Sequence, residues 1–186
     1  FILMAHRASP TRDPFICEKR VMMMRGIVTG EAETMIEVIP IGYVRGGRAE
    51  ARDDNWAHEQ ASIELDGEQF GTDALAGLEQ FSHVEVVFHF HKMDQAKIVS
   101  TARYPRNNCD WPKIGIFAQR GRARPNRIGV TVCEIAAVNR LLLSVLGLDA
   151  IDGTPVLDIK PYLSGFAPRG AVREPDWARE IMADYW

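Results

Sequence analysis

The run Ile128-Gly129-Val130-Thr131-Val132-Cys133-Glu134-Ile135-Ala136-Ala137-Val138, followed by Asn139-Arg140 and then Leu141 to Leu148, decides the fold class. Its first part is rich in β-branched residues, which pack well on a pleated surface. A polar pair then separates it from a second apolar run, so the stretch reads as a β-hairpin. Upstream, His83 to His91 is dense in Val and Phe. Strand alternation puts Val84, Val86, Phe88 and Phe90 inward and His83, Glu85, Val87, His89 and His91 outward. Lys97 to Tyr104 and Ile114 to Ala118 are further short strand candidates.

Nearer the start, Ile36 to Val44 is β-rich with Pro40 inside, which predicts an edge or bent strand. Gly46 to Trp56 is a polar loop. Ser62 to Leu65 alternate ahead of an Asp66-Gly67 turn signal. Thr72 is placed to cap a short helix carrying Leu75 and Leu78. After Pro175, Trp177, Ile181 and Tyr185 recur at helical spacing. Many short strands, few helices and no strand–helix alternation predict a mainly β protein, a compact antiparallel β-barrel with a few short helices and peripheral extensions. Residues 1–35 read as an N-terminal extension, 36–165 as the barrel domain and 166–186 as a C-terminal tail with a short helix.

The 186 residues, 46% of them hydrophobic, suit one domain with a real core. No apolar run approaches the roughly 20 residues of a membrane span, so a cytoplasmic protein is expected. Cys17, Cys109 and Cys133 are sparse and odd in number, which argues against a disulfide framework or a cysteine zinc site. Two-apart His89 and His91 suit a metal, but His83 lies too far along the strand and no acidic ligand stands beside them; no metal is expected. Dinucleotide-binding, P-loop, zincin and serine-hydrolase signatures are absent.

Charge is segregated. The net charge is −3, yet Lys92 to Arg127 carries nine basic residues and two acids, for +7, and the remainder −10. Such a positive face attracts phosphates. Within it, the loop Phe117 to Gly129 alternates Arg120, Arg122 and Arg124, whose guanidinium forks suit bidentate contact with phosphate or carboxylate. The turn Asp149 to Tyr162 then presents Asp152, Asp158, Lys160 and Tyr162.

Taken with Gly77-Leu78-Glu79-Gln80-Phe81-Ser82-His83, Gly115-Ile116-Phe117-Ala118, Arg124-Pro125-Asn126 and Asp152-Gly153-Thr154-Pro155-Val156-Leu157-Asp158-Ile159-Lys160-Pro161-Tyr162, the chain resembles the TsaA/YaeB/TrmO family from about Ile41 to Tyr162. The resemblance implies a dimeric β-barrel protein that binds S-adenosylmethionine outside a Rossmann fold. The implied activity is N6-methylation of threonylcarbamoyladenosine 3′ of the tRNA anticodon. By motif, cofactor contacts fall on Asp54, Asn55 and Trp56 (where relatives carry Pro-Arg-Gln), His91, Lys92, Arg120, Val130, Leu146, Gly147, Leu148 and Asp149. Arg106, Arg122, Arg124 and Tyr162 are the candidate RNA contacts, and Asp152, Asp158 and Lys160 the candidate catalytic groups. The sulfonium charge is expected to meet the face of Trp56 or Asp149. Departures at Asp54-Asn55-Trp56 and at Arg103-Tyr104-Pro105-Arg106 keep two other readings open: a non-catalytic S-adenosylmethionine- or nucleotide-binding module, and a methyltransferase for another small molecule or RNA.

Overall fold

Six antiparallel strands close into a barrel. The computed structural model describes residues 22–26 and 34–186; most of the expected N-terminal extension, with Cys17, lies outside them. Strands β1 (Met22–Gly26) and β2 (Thr34–Val38) pair with each other as a separate two-stranded sheet. The barrel comprises β3 (Gly42–Arg45), β4 (Gln60–Leu65), β5 (His83–His89), β8 (Ile128–Asn139), β9 (Leu142–Leu146) and β10 (Pro155–Pro161), in the order β10-β3-β4-β9-β8-β5. Two-residue strands β6 (Ala102–Arg103) and β7 (Ile114–Gly115) pair outside it. Closure leaves the barrel strands no free edge, the feature that otherwise invites misassociation.

The opening hairpin is present. β8 and β9 pair from Glu134↔Leu146 to Asn139↔Leu142, and Arg140 takes a left-handed φ of 54° in the turn. Inward residues fill the interior: Val44, Ile63, Val84, Val86, Phe88, Cys133, Leu143, Val145 and Val156 are buried. Each Val, Leu, Ile or Phe so buried contributes about 1.5–3 kcal/mol. Two glycines let the wall close. At Gly42 a Cβ would stand 2.2 Å from the Glu64 carbonyl oxygen; at Gly129 it would stand 2.5 Å from the Phe88 ring.

Several expectations are corrected. The Ile36 to Val44 run is two strands, because Pro40 interrupts it and the halves join different sheets. Lys97 to Tyr104 and Ile114 to Ala118 yield only β6 and β7; the rest is 3-10 turns and loop among Pro105, Pro112 and left-handed Arg106 and Asn107. Thr72 starts a series of turns rather than an α-helix, ending in a 3-10 turn at Leu78–Gln80, though Leu75 and Leu78 are buried. His89, expected outward, is buried. The β5 ladder stays in step through His89, which pairs with Ile128, so its burial is cover over an outward position; beyond it the His91 N–H donates to the His89 carbonyl at 2.7 Å, and the Phe90 N–H to the Arg127 carbonyl at 2.8 Å. The tail helix α1 (Asp176–Ile181) forms as spaced, with Trp177, Ile181 and Tyr185 half-buried.

Candidate functional site

One carboxylate organises an end of the barrel. Where β9 stops, Gly147 turns the chain with a φ of 77° and donates its N–H to the Glu59 carbonyl at 3.0 Å. The chain then drops Leu148 and Ala150 into the core, which leaves Asp149 between them facing the barrel end. Asp149 accepts hydrogen bonds on both oxygens, from the Thr131 hydroxyl of β8 and from the Tyr185 hydroxyl of the tail. Burial first, then the Asp149 charge and hydrogen bond, push the Tyr185 phenol above its ordinary range, with Arg120 opposing them. The same pair of causes, burial and Asp149, pushes the Cys133 thiol up to about 12.

The tail is held there by main-chain bonds. The Asn55 and Trp56 N–H groups donate to the Asp184 and Tyr185 carbonyls at 2.8 and 2.9 Å. Tyr185 and Trp186 stack edge-on at 5.0 Å, and an edge of the Trp186 ring comes close to Gly147. Farther back, the Trp111 indole N–H donates to Glu180 at 2.6 Å.

Arg48 ties this corner together. Its Nε donates to Glu59 at 2.6 Å, its Nη1 to the Asp54 carbonyl at 2.7 Å and its Nη2 to the Asn55 carbonyl. Its guanidinium lies 4.3 Å over the Trp56 ring. Trp56 is 3% exposed with Arg48 over its ring, which counts against the expected contact of that face with a sulfonium.

Other predicted residues fall near this corner. Arg120 donates to the Val130 carbonyl at 2.6 Å, which joins two predicted cofactor contacts. Lys92 donates to the Ala49 carbonyl at 3.3 Å, and His91 is half-buried where the backbone doubles back. Leu146 is half-buried at the end of β9.

The predicted RNA arginines have partners of their own. Arg106 grips Asp54 with both Nη atoms, at 3.1 and 2.5 Å, and Arg122 reaches Asp53 at 3.4 Å. Arg124 turns back to the Gln119 carbonyl at 3.4 Å; with Arg120 on the Val130 carbonyl and Arg122 on Asp53, the alternating Arg120, Arg122 and Arg124 do not project together. Tyr162, partly exposed, sits beyond β10, its N–H on the His83 carbonyl at 3.0 Å.

Nor do the candidate catalytic groups converge. The Asp152 carboxylate accepts the Gly46 N–H at 2.9 Å and its N–H donates to the Arg48 carbonyl at 2.8 Å, which closes a turn. Asp158 is ion-paired with Lys160 on β10, opposite Val87 and Glu85 of β5. Asp158 also borders a separate cavity of about 580 Å³ lined by Ile41, Leu65, Phe70, Leu75 and Phe81. Among the described residues no three His, Cys, Asp or Glu side chains group as metal ligands would, and no helix is long and apolar enough to cross a membrane.

Comparison with known proteins places this geometry. The model of the tRNA-methyltransferase O N-terminal domain matches residues 51–167. The chain belongs to the TrmO N-terminal domain family. It is 42% identical over 102 residues to a human tRNA (adenine(37)-N6)-methyltransferase, covering 55% of this chain and 23% of that protein. Against the Escherichia coli protein of the same name it is 42% identical over 95 residues, covering 49% and 40%. A probable S-adenosyl-L-methionine-binding protein of Methanothermobacter thermautotrophicus is 36% identical over 131 residues, 68% of this chain and 90% of that one. A crystal structure of TrmO from Pseudomonas aeruginosa superposes with a TM-score of 0.63 at 31% identity, covering 80% and 63%. The chain thus spans well under half the length of the human and E. coli relatives.

Asp149 offers acceptors for a cation or ribose hydroxyls, Arg120 a cation for a carboxylate, and Tyr185 and Trp186 aromatic surface. Sequence reasoning missed Arg48, Thr131 and Tyr185 as parts of this corner. Only Tyr185 left a signal, its helical spacing in the tail, and that pointed to packing.

Proposed function

We propose that this chain binds S-adenosylmethionine at the Asp149 corner and methylates N6 of an adenine in tRNA. Asp149, shared between Thr131 and Tyr185 beside Arg120, carries the reading. The family match and the relatives' names supply the reaction class. The bound cofactor supplies a methyl group on a positively charged sulfur. The chain's own part is positional: Asp149 faces the positive charge, Arg120 fixes the opposite pole, and Val130, Leu146, Gly147 and Leu148 form the floor. Alignment of nucleophile and methyl donor supplies on the order of 7–11 kcal/mol at best. The basic loop, with Arg106, Arg122 and Arg124, meets RNA phosphates. We further assign threonylcarbamoyladenosine as the methylated nucleoside, a homodimer as the working form and the cytoplasm as its place. Exposed Leu163, Phe166 and Val172 support a protein partner for the tail.

A second reading, a binding module without catalysis, is favoured by one observation. Asp152 and Asp158 are each engaged in local contacts and neither adjoins Asp149 by any bond. Two measurements separate the readings. Calorimetry with S-adenosylmethionine should give binding; no heat at millimolar cofactor refutes both. Nucleoside mass spectrometry of tRNA from a deletion strain, with and without this chain, should show the methylated adenosine restored; cofactor binding without restoration leaves the module.

A further inference from the structure

We propose that the tail residues Tyr185 and Trp186 belong to the cofactor site, Tyr185 as a positioning residue for Asp149 and Trp186 as the aromatic face that meets the sulfonium cation. The inference rests on the proposed cofactor reading and extends it to a segment outside the family match, which ends at residue 167. Three observations carry it. First, the tail is anchored at the site by backbone: Asn55 and Trp56 donate to Asp184 and Tyr185 at 2.8 and 2.9 Å. Second, the Tyr185 hydroxyl takes one Asp149 oxygen while Thr131 takes the other, so the carboxylate plane is fixed between a strand and the tail. Third, the aromatic face nearest to hand is closed, since Trp56 is buried under Arg48. Trp186 instead is half exposed, braced edge-on by Tyr185, with an edge of its ring close to Gly147, two positions before Asp149 in the sequence.

An aromatic face beside a carboxylate recognises charge more than shape. A cation over such a face gains attraction from the ring quadrupole, worth more when desolvated. S-adenosylmethionine has a sulfonium; the product S-adenosylhomocysteine has a neutral thioether and otherwise the same groups. Trp186 should therefore favour the methyl donor over the spent product, which helps turnover.

The test is calorimetric titration of the unaltered chain, Trp186→Ala, Trp186→Phe and Tyr185→Phe with both ligands. Trp186→Ala should weaken S-adenosylmethionine about 5- to 30-fold, the factor of a partly desolvated cation–aromatic contact, and S-adenosylhomocysteine about 2-fold or less. Trp186→Phe should recover most of the difference. Tyr185→Phe should reduce discrimination in the same sense, because Asp149 loses one of its two fixed bonds. Equal weakening of both ligands by Trp186→Ala would show a merely structural tail and overturn the inference, and so would no change in either. Absence of binding by the unaltered chain would instead overturn the cofactor reading beneath it.

Discussion

Arg48→Lys isolates one side chain that joins three parts of the barrel end. The guanidinium bonds Glu59 and the carbonyls of Asp54 and Asn55, and covers Trp56. Lysine keeps the charge but presents a single nitrogen, so it cannot serve three acceptors set in a fork. The Arg48 side chain is only 15% exposed, so the abandoned carbonyls stay partly dry. Hydrogen bonds to a charged group contribute about 1.5–3 kcal/mol each. With two lost, taken at the low end for partial exposure, and roughly 0.5–1 kcal/mol for the ring contact, the change costs about 3–4 kcal/mol. For a chain of this size each kcal/mol lowers Tm by about 2–4 °C, which gives a fall of about 6–16 °C. Differential scanning calorimetry reads it directly. Limited proteolysis should show earlier cleavage near residues 50–56, where Arg48 holds the loop. A fall under about 2 °C with unchanged proteolysis refutes the reasoning and leaves the tail's backbone bonds as the real anchor.

The remaining expectations address closure, titration and catalysis. Gly42→Ala should destabilise more than Gly129→Ala in urea titrations, because its Cβ meets a backbone carbonyl rather than ring edges; overpacking typically costs about 1–3 kcal/mol, and the reverse order would discount the clash geometry. Exposed Cys109 should react with iodoacetamide at pH 8 while buried Cys133 resists until unfolding, as peptide mass spectrometry would show. Since the Cys133 thiol is raised from 9.0 to about 12, its contribution is complete below pH 9. It is lost between pH 9 and 12, where the unfolded thiol ionises and the folded one does not. Cys133→Ala should flatten that alkaline decline. Asp152→Asn keeps an oxygen for the Gly46 N–H but no base, so methylation should persist if the group only closes the turn, and fall by about 10²–10⁴ if it accepts a proton.

Local chemistry made the walls legible. β-branched composition marks β8, alternation marks the inward face of β5, and helical spacing marks α1. Pro40 predicts an edge or bent strand but divides two sheets, because proline shows that a ladder is interrupted and not where each half pairs. The motifs pointed to Arg120, Val130 and Leu146 to Asp149, which the fold gathers at one end of the barrel. The site was opaque where distant segments meet: Thr131 and Tyr185 lie 18 and 36 residues from Asp149, whose carboxylate they share. Arg48 escaped notice because a single arginine in a polar loop has no pattern. The alternating arginines misled because alternation predicts a common direction only in an extended strand, and the loop from Gln119 to Arg127 is bent.

The clasp of Arg106 by Asp54, and of Arg122 by Asp53, gives the basic face internal counterions. On the proposed RNA contact, an arriving phosphate would exchange with a tethered carboxylate rather than release a free sodium ion. Polyelectrolyte theory counts about 0.7 released ions for each single-strand phosphate neutralised. A contact made by such a swap adds less than that to the slope of log affinity against log salt. If that contact is made, the acidic loop acts as a buffer that makes the affinity less sensitive to ionic strength.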